Sequence, residues 1–104
     1  MQFRRAPSPT FKHAITVATH EGEAKITVEY RHMRRSEFEA YFSDAYVNNV
    51  PHTDQLLKIA AGWDVAEFKF TPEDVREFDQ LYPAVCPQLV MGYAKALAEG
   101  RLGN

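Results

Sequence analysis

Six consecutive residues, Phe70-Thr71-Pro72-Glu73-Asp74-Val75, constrain the fold of this chain more tightly than any other stretch, because each favours the start of a helix. The Thr71 hydroxyl suits an N-cap, where it accepts a backbone N–H of the first turn. Pro72 fits the first helical position, which needs no N–H. Glu73 and Asp74 place negative charge at the positive end of the helix dipole. Phe70 and Val75 stand at N′ and N4, the two halves of a hydrophobic staple. Upstream, a helix-like run reads as ending at Gly62, and the sole tryptophan, Trp63, follows it before Val65 and Phe68. Ala60–Val75 therefore reads as a junction that sets the angle between two helices, with Trp63 beside it. Such rings are usually core; the alternative is that part of the group faces another polypeptide.

The N-terminal third has a different period. Phe11, His13, Ile15 and Val17 alternate with Lys12, Ala14, Thr16 and Ala18, and Ile26, Val28 and Tyr30 alternate with Lys25, Thr27, Glu29 and Arg31. A period of two rich in β-branched residues predicts strands. His20-Glu21-Gly22-Glu23 supplies the turn, with Gly22 free to take a positive φ. The expectation is an antiparallel hairpin over 11–32 with one apolar face, laid on helices because a lone hairpin is marginal in water. Residues 1–10, with two prolines around Arg4 and Arg5, read as a flexible arm.

Helical spacing takes over after Met33. Ser36 and Glu39 form an S-x-x-E capping box, followed by the stripe Phe38, Tyr41, Phe42, Ala45 and Tyr46 over about 36–48. Thr53 opens a second helix, about 53–61, carrying Leu56, Leu57 and Ile59, with Gly62 as its C′ residue. The third, about 72–82, presents Val75, Phe78, Leu81 and Tyr82, and Pro83 stops it. The fourth, about 84–99, carries Val85, Leu89, Val90, Tyr93, Ala96 and Leu97, with Gly100 as its cap. Gly92 in its middle implies close approach by a neighbouring helix or by Trp63. The fold class is α+β: an N-terminal antiparallel β-hairpin followed by a bundle of about four α-helices in one domain, 11–104.

Composition narrows function mainly by exclusion. The four histidines lack the i, i+3 or i, i+4 spacing of a helical metal site, and Cys86 has no partner thiol, so no metal, cofactor or internal disulfide is expected. His13 and His32 read as a half-buried cross-strand pair. Cys86 lies near a helix start but between Val85 and Pro87, and reads as a small core residue. No phosphate loop or nucleophile elbow occurs, and no catalytic residues are assigned. No apolar run approaches a membrane span, and MQFRRAPSPT does not read as a signal peptide. The net charge of −2 is unevenly placed. Residues 1–35 carry seven basic and three acidic side chains, residues 36–104 five and eleven. That asymmetry suggests either two solvated faces or head-to-tail association of copies. Arg31, Arg34 and Arg35 form the only basic cluster, a set of candidate electrostatic contacts, although the acidic total argues against nucleic acid.

Leu57–Asp64, LKIAAGWD, followed by Phe70-Thr71-Pro72-Glu73, the helix end Leu81-Tyr82-Pro83 and then Tyr93, resembles the tail assembly chaperones of long-tailed bacteriophages and prophages. The Ala14–Arg31 hairpin and the Arg34–Phe38 helix entry fit as well, so the resemblance spans most of 11–104. It implies a non-enzymatic factor, made in the host cytoplasm and absent from the mature virion. Such factors bind the tape measure protein and keep it soluble during tail assembly. It also implies that a frameshifted longer form recruits the tail tube protein, the present chain being the shorter product. Trp63, Asp64, Phe70, Tyr82 and Tyr93 match the family as structural residues first and partner-facing ones second. The candidate partner-binding set is Trp63, Val65, Phe68, Phe70, Tyr82, Leu89 and Tyr93, with a homo-oligomer as the open alternative to a single copy. Two other classes stay open: a nucleic-acid-associated regulator using the arginines, and a structural head–tail or tube component using the hairpin edge.

Overall fold

The computed structural model describes residues 1–98. Strands β1 (Thr10–Thr19) and β2 (Gly22–Arg31) pair along their whole length, from Thr10 opposite Arg31 to Thr19 opposite Gly22. The turn is only His20-Glu21. Gly22 takes φ +121, and the Thr19 hydroxyl both accepts from the Glu21 N–H and donates to the Gly22 carbonyl. The alternation places Ile15, Val17, Ile26, Val28 and Tyr30 on one buried face. Four helices follow: α1 (Arg35–Val47), α2 (His52–Ile59), α3 (Pro72–Leu81) and α4 (Val85–Ala98). α4 lies on the apolar face of the sheet against β1, and α2 packs on α4 and α3. Leu56, Ile59, Val75, Val85 and Leu89 close the core, each worth about 1.5–3 kcal/mol of burial. Residues 1–9 lie outside any strand or helix and are exposed.

The hairpin and the four helices are as expected, and Thr71 caps α3 as expected, accepting from the Asp74 N–H at 3.2 Å with Pro72 in the first turn. Several details differ. The second helix ends at Ile59, and Ala60–Trp63 forms a third strand, β3, antiparallel to β2 in the order β1-β2-β3. Gly62 is thus no helix cap; it pairs with Glu29, and the helix leaves through Ala60 in extended geometry. α2 starts at His52 behind Pro51, with Thr53 buried in its first turn. α1 starts before Ser36: the Arg34 N–H donates to Glu37 Oε1 at 2.8 Å, and the Phe38 N–H closes the first turn on the Arg34 carbonyl. Arginine has no acceptor, so this is half of a capping box. Tyr46 and Leu81 face solvent, because their helices turn only a narrow side inward. His13 stands opposite Val28, not His32, which lies beyond the end of β2. The neighbour that Gly92 admits is Ile15 of β1, with Tyr30 Oη 3.4 Å from where a Cβ would sit. Glu99, the Gly100 cap and the residues after it lie outside the described residues.

Candidate partner-binding groove

Of the thirteen aromatic rings in the chain, only Tyr30, Phe78 and Tyr93 are buried. Phe3 and Tyr46 are exposed, and the remaining eight gather around these three in two clusters. One surrounds Tyr93, which touches Phe11, Tyr30, Phe38 and Phe42 with centroids 5.0–6.3 Å apart. The Tyr93 hydroxyl donates to the Arg31 carbonyl and the Tyr30 hydroxyl to the Leu89 carbonyl, so both polar tips are satisfied inside. Burial pushes the Tyr93 phenol up to about 12 and raises Tyr30 further.

The second cluster has Phe78 at its centre, on the inner side of α3. Trp63 meets it edge-on at 5.1 Å, Phe68 at 5.2 Å, and Tyr82 lies 5.4 Å away. Phe70 packs on Trp63 at 5.4 Å. Three local devices hold this group. Glu67 takes φ +71, turning the loop so that the Phe68 carbonyl accepts from Trp63 Nε1 at 2.9 Å. Asp64 extends the β3 row, accepting from the Thr27 N–H through Oδ1 while its own N–H donates to the Thr27 carbonyl. Tyr82 stacks on His20 and donates to Glu21 at 3.0 Å, fastening the end of α3 to the hairpin turn. That hydrogen bond to Glu21 raises the Tyr82 phenol above its ordinary value.

Between the hairpin tip, the loop 64–68 and the α3–α4 junction lies a groove of about 410 Å³. Its floor is Val17, Ile26, Phe78 and Val85, its walls are Val65, Phe68 and Tyr82, and its rim carries Glu21, Glu23, Asp64 and Glu67 against a single Lys25. The structure thus brings Val65, Phe68 and Tyr82 together on one concave surface. Trp63 and Phe70 stand behind it, half-buried. Leu89 and Tyr93 are fully buried in the free chain and present no surface. The acidic rim was not singled out from the sequence as a unit. Its members come from two segments some forty residues apart, and only their turn-forming neighbours are readable locally.

Arg31, Arg34 and Arg35 are exposed at the opposite end of the sheet, where β2 ends and α1 begins. Glu39 lies 4.0 Å from Arg35, and the Glu37 carboxylate is held at the Arg34 N–H. Carboxylates therefore stand inside the basic cluster and weaken its pull on phosphate. His32, Met33, Arg35, Phe38, Glu39 and Leu97 line a smaller depression there, of about 280 Å³.

Among the described residues no group of three or more His, Cys, Asp or Glu side chains could hold a metal ion, and no helix is long and apolar enough to cross a membrane. Cys86 is fully buried, and its thiol is pushed up to about 12 by burial and then by Asp79, so it is a poor nucleophile. The arrangement offers surfaces rather than reacting groups. Neither a curated protein nor a solved structure matches the chain. A model of one family, described as phage tail assembly chaperone, matches residues 1–104. With that match across its whole length, the chain belongs to the phage tail assembly chaperones.

Proposed function

We propose that this chaperone acts by binding the tape measure protein in the host cytoplasm, holding it soluble until tube subunits assemble around it, and then leaving the particle without having catalysed a reaction. The observation that carries this reading is the ring of half-buried Trp63, Val65, Phe68, Phe70 and Tyr82 around one buried Phe78, opening into a groove. A long helical client displays apolar stripes that aggregate when bare, and an aromatic groove covers such a stripe in the helix-in-groove mode. In the same reading, a frameshifted longer form of the chain would bring the tail tube protein to the client.

The test is co-expression with the tape measure protein of the same phage or prophage. The client is expected in the soluble fraction with the wild-type chain and in the pellet with a folded Phe68→Ala/Tyr82→Ala variant. A client equally insoluble with and without the wild-type chain overturns the reading. Purified particles should lack this protein; finding it there at stoichiometric levels would favour a structural component of the tail.

A further inference from the structure

We propose that the groove at the hairpin tip receives the N-terminal arm of a second copy of this chain, so that copies link head to tail before any client is present. The groove has three properties that specify such an occupant. First, it runs beside a strand edge that no described residue pairs. β3 covers β2 only from Val28 to Tyr30, and Thr27 exchanges both its backbone groups with Asp64. Backbone groups alternate sides along a strand, so those of Lys25 and Glu23 point the same way as those of Thr27, toward the groove. An extended segment can add there as a strand. Second, the floor is apolar. Third, the rim is acidic, with Glu21, Glu23, Asp64 and Glu67 against Lys25.

The arm matches each property. Met1 and Phe3 are almost completely exposed, the two most exposed large apolar side chains among the described residues. Arg4 and Arg5 follow Phe3 directly. The four residues Phe3–Ala6 all carry a backbone N–H for strand pairing, and Pro7 ends the run. With Phe3 turned to the floor, Arg4 points to the opposite side of an extended arm, toward the carboxylate rim.

Geometry assigns the arm to another copy. It leaves the sheet at the base of the hairpin, where the Pro9 carbonyl accepts from the His32 N–H at 2.9 Å. The groove lies at the other end of a ten-residue strand, about 30 Å away. Phe3 stands six residues before Pro9, and six fully extended residues reach only about 20 Å, so Phe3–Ala6 cannot fold back into the groove of their own sheet. The contact joins two different surfaces and does not close on itself, so it builds open chains. An arm in the groove also covers the aromatic wall, and a client segment entering there must displace it.

Sedimentation of the client-free, full-length protein tests this, and its outcome is separate from that of the client experiment. At about 20 mM salt the wild type should show concentration-dependent species larger than a monomer, and these should dissolve at about 0.5 M, where charges are screened within a few ångströms. Arg4→Glu/Arg5→Glu, in an exposed arm outside every strand and helix, should weaken association at least about tenfold, as should Glu21→Lys/Glu23→Lys. Mixing the two variants should restore association, because the acidic arm of one then meets the basic groove of the other. A monomer under every condition overturns the proposal. So does association that ignores the arm substitutions, which would place the contact elsewhere, or a mixture that stays as weak as its components.

Discussion

Gly92 shows how a single missing side chain sets the position of a whole helix. A Cβ at this position would run into the Ile15 side chain, with Ile15 Cγ1 at 3.2 Å. Alanine is worth about 1 kcal/mol over glycine inside a helix, but overpacking a closed core costs about 1–3 kcal/mol. Ile15 is buried and has little room to turn aside, so the packing cost should win. Gly92→Ala is expected to lower stability by about 1 kcal/mol in urea denaturation. Ile15→Val, which removes the clashing Cδ1, should recover part of that loss in the double variant. Two titratable groups of α4 give a second prediction. Burial raises the Cys86 thiol from 9.0 to about 12 and the Tyr93 phenol from 10.0 to about 12. Both groups stay neutral in the folded chain at a pH where the unfolded chain ionises them. Their contribution is complete below pH 9 and declines through the interval from 9 to 12, because the unfolded state releases the protons first. Thermal unfolding followed at increasing pH should therefore show a melting temperature insensitive to these groups at neutrality and falling above pH 9. Cys86→Ala should reduce the slope between pH 9 and 10.

At the level of elements, the ends of helices decided which parts of the fold were readable. The start of α3 was legible because Thr71, Pro72, Glu73 and Asp74 agree with one another within a single turn, and the structure uses them as capping chemistry predicts. Thr71→Ala should accordingly cost about 0.5–2 kcal/mol, while Thr71→Ser, which retains the acceptor, should stay close to wild type; chemical denaturation of the pair separates the hydroxyl from the methyl group. The hairpin was legible for the same kind of reason, a clean period of two interrupted by Gly22. The start of α1 was ambiguous because carboxylates stand at both 37 and 39. By pattern Glu39 could make a box with Ser36; in the structure Glu37 makes half a box with Arg34, and that contact with the Arg34 N–H was not distinguishable from local pattern alone. β3 was not legible at all. Ala60 and Ala61 are good helix formers, and the strand is four residues long. It exists because β2 offers it a partner thirty residues upstream, an interaction that local propensity does not contain. Gln88 is a further non-local device: its amide donates to the Ala18 carbonyl and accepts from the Ala18 N–H, blunting the outer edge of β1 from α4.

The whole molecule distributes its aromatic residues in a way that a core alone does not require. Tyr93 and Phe78 are each enclosed by rings that remain half-exposed, and the two clusters sit on different parts of the chain, one under α1 and one under the loop 64–68. The second opens into the larger of the two depressions described, with the apolar floor of Val17, Ile26, Phe78 and Val85, which makes it the better candidate for a client segment, and Trp63 reports on it. The indole is half-buried, its N–H is held by the Phe68 carbonyl, and Phe68 forms the groove wall. An occupant that packs on Phe68 tightens this turn and excludes water from the indole without needing to touch it. Trp63 is the only tryptophan, so a client peptide lacking tryptophan should shift the emission to shorter wavelength and reduce quenching by iodide, with a midpoint that follows the binding isotherm. Phe68→Ala should weaken binding and remove the shift, whereas Phe42→Ala, in the other cluster, should leave both intact. A peptide that binds by calorimetry yet leaves Trp63 unchanged would move the client to the rings around Tyr93, where Phe38 and Phe42 of α1 pack on that α4 side chain and where the exposed arginines would then line its path.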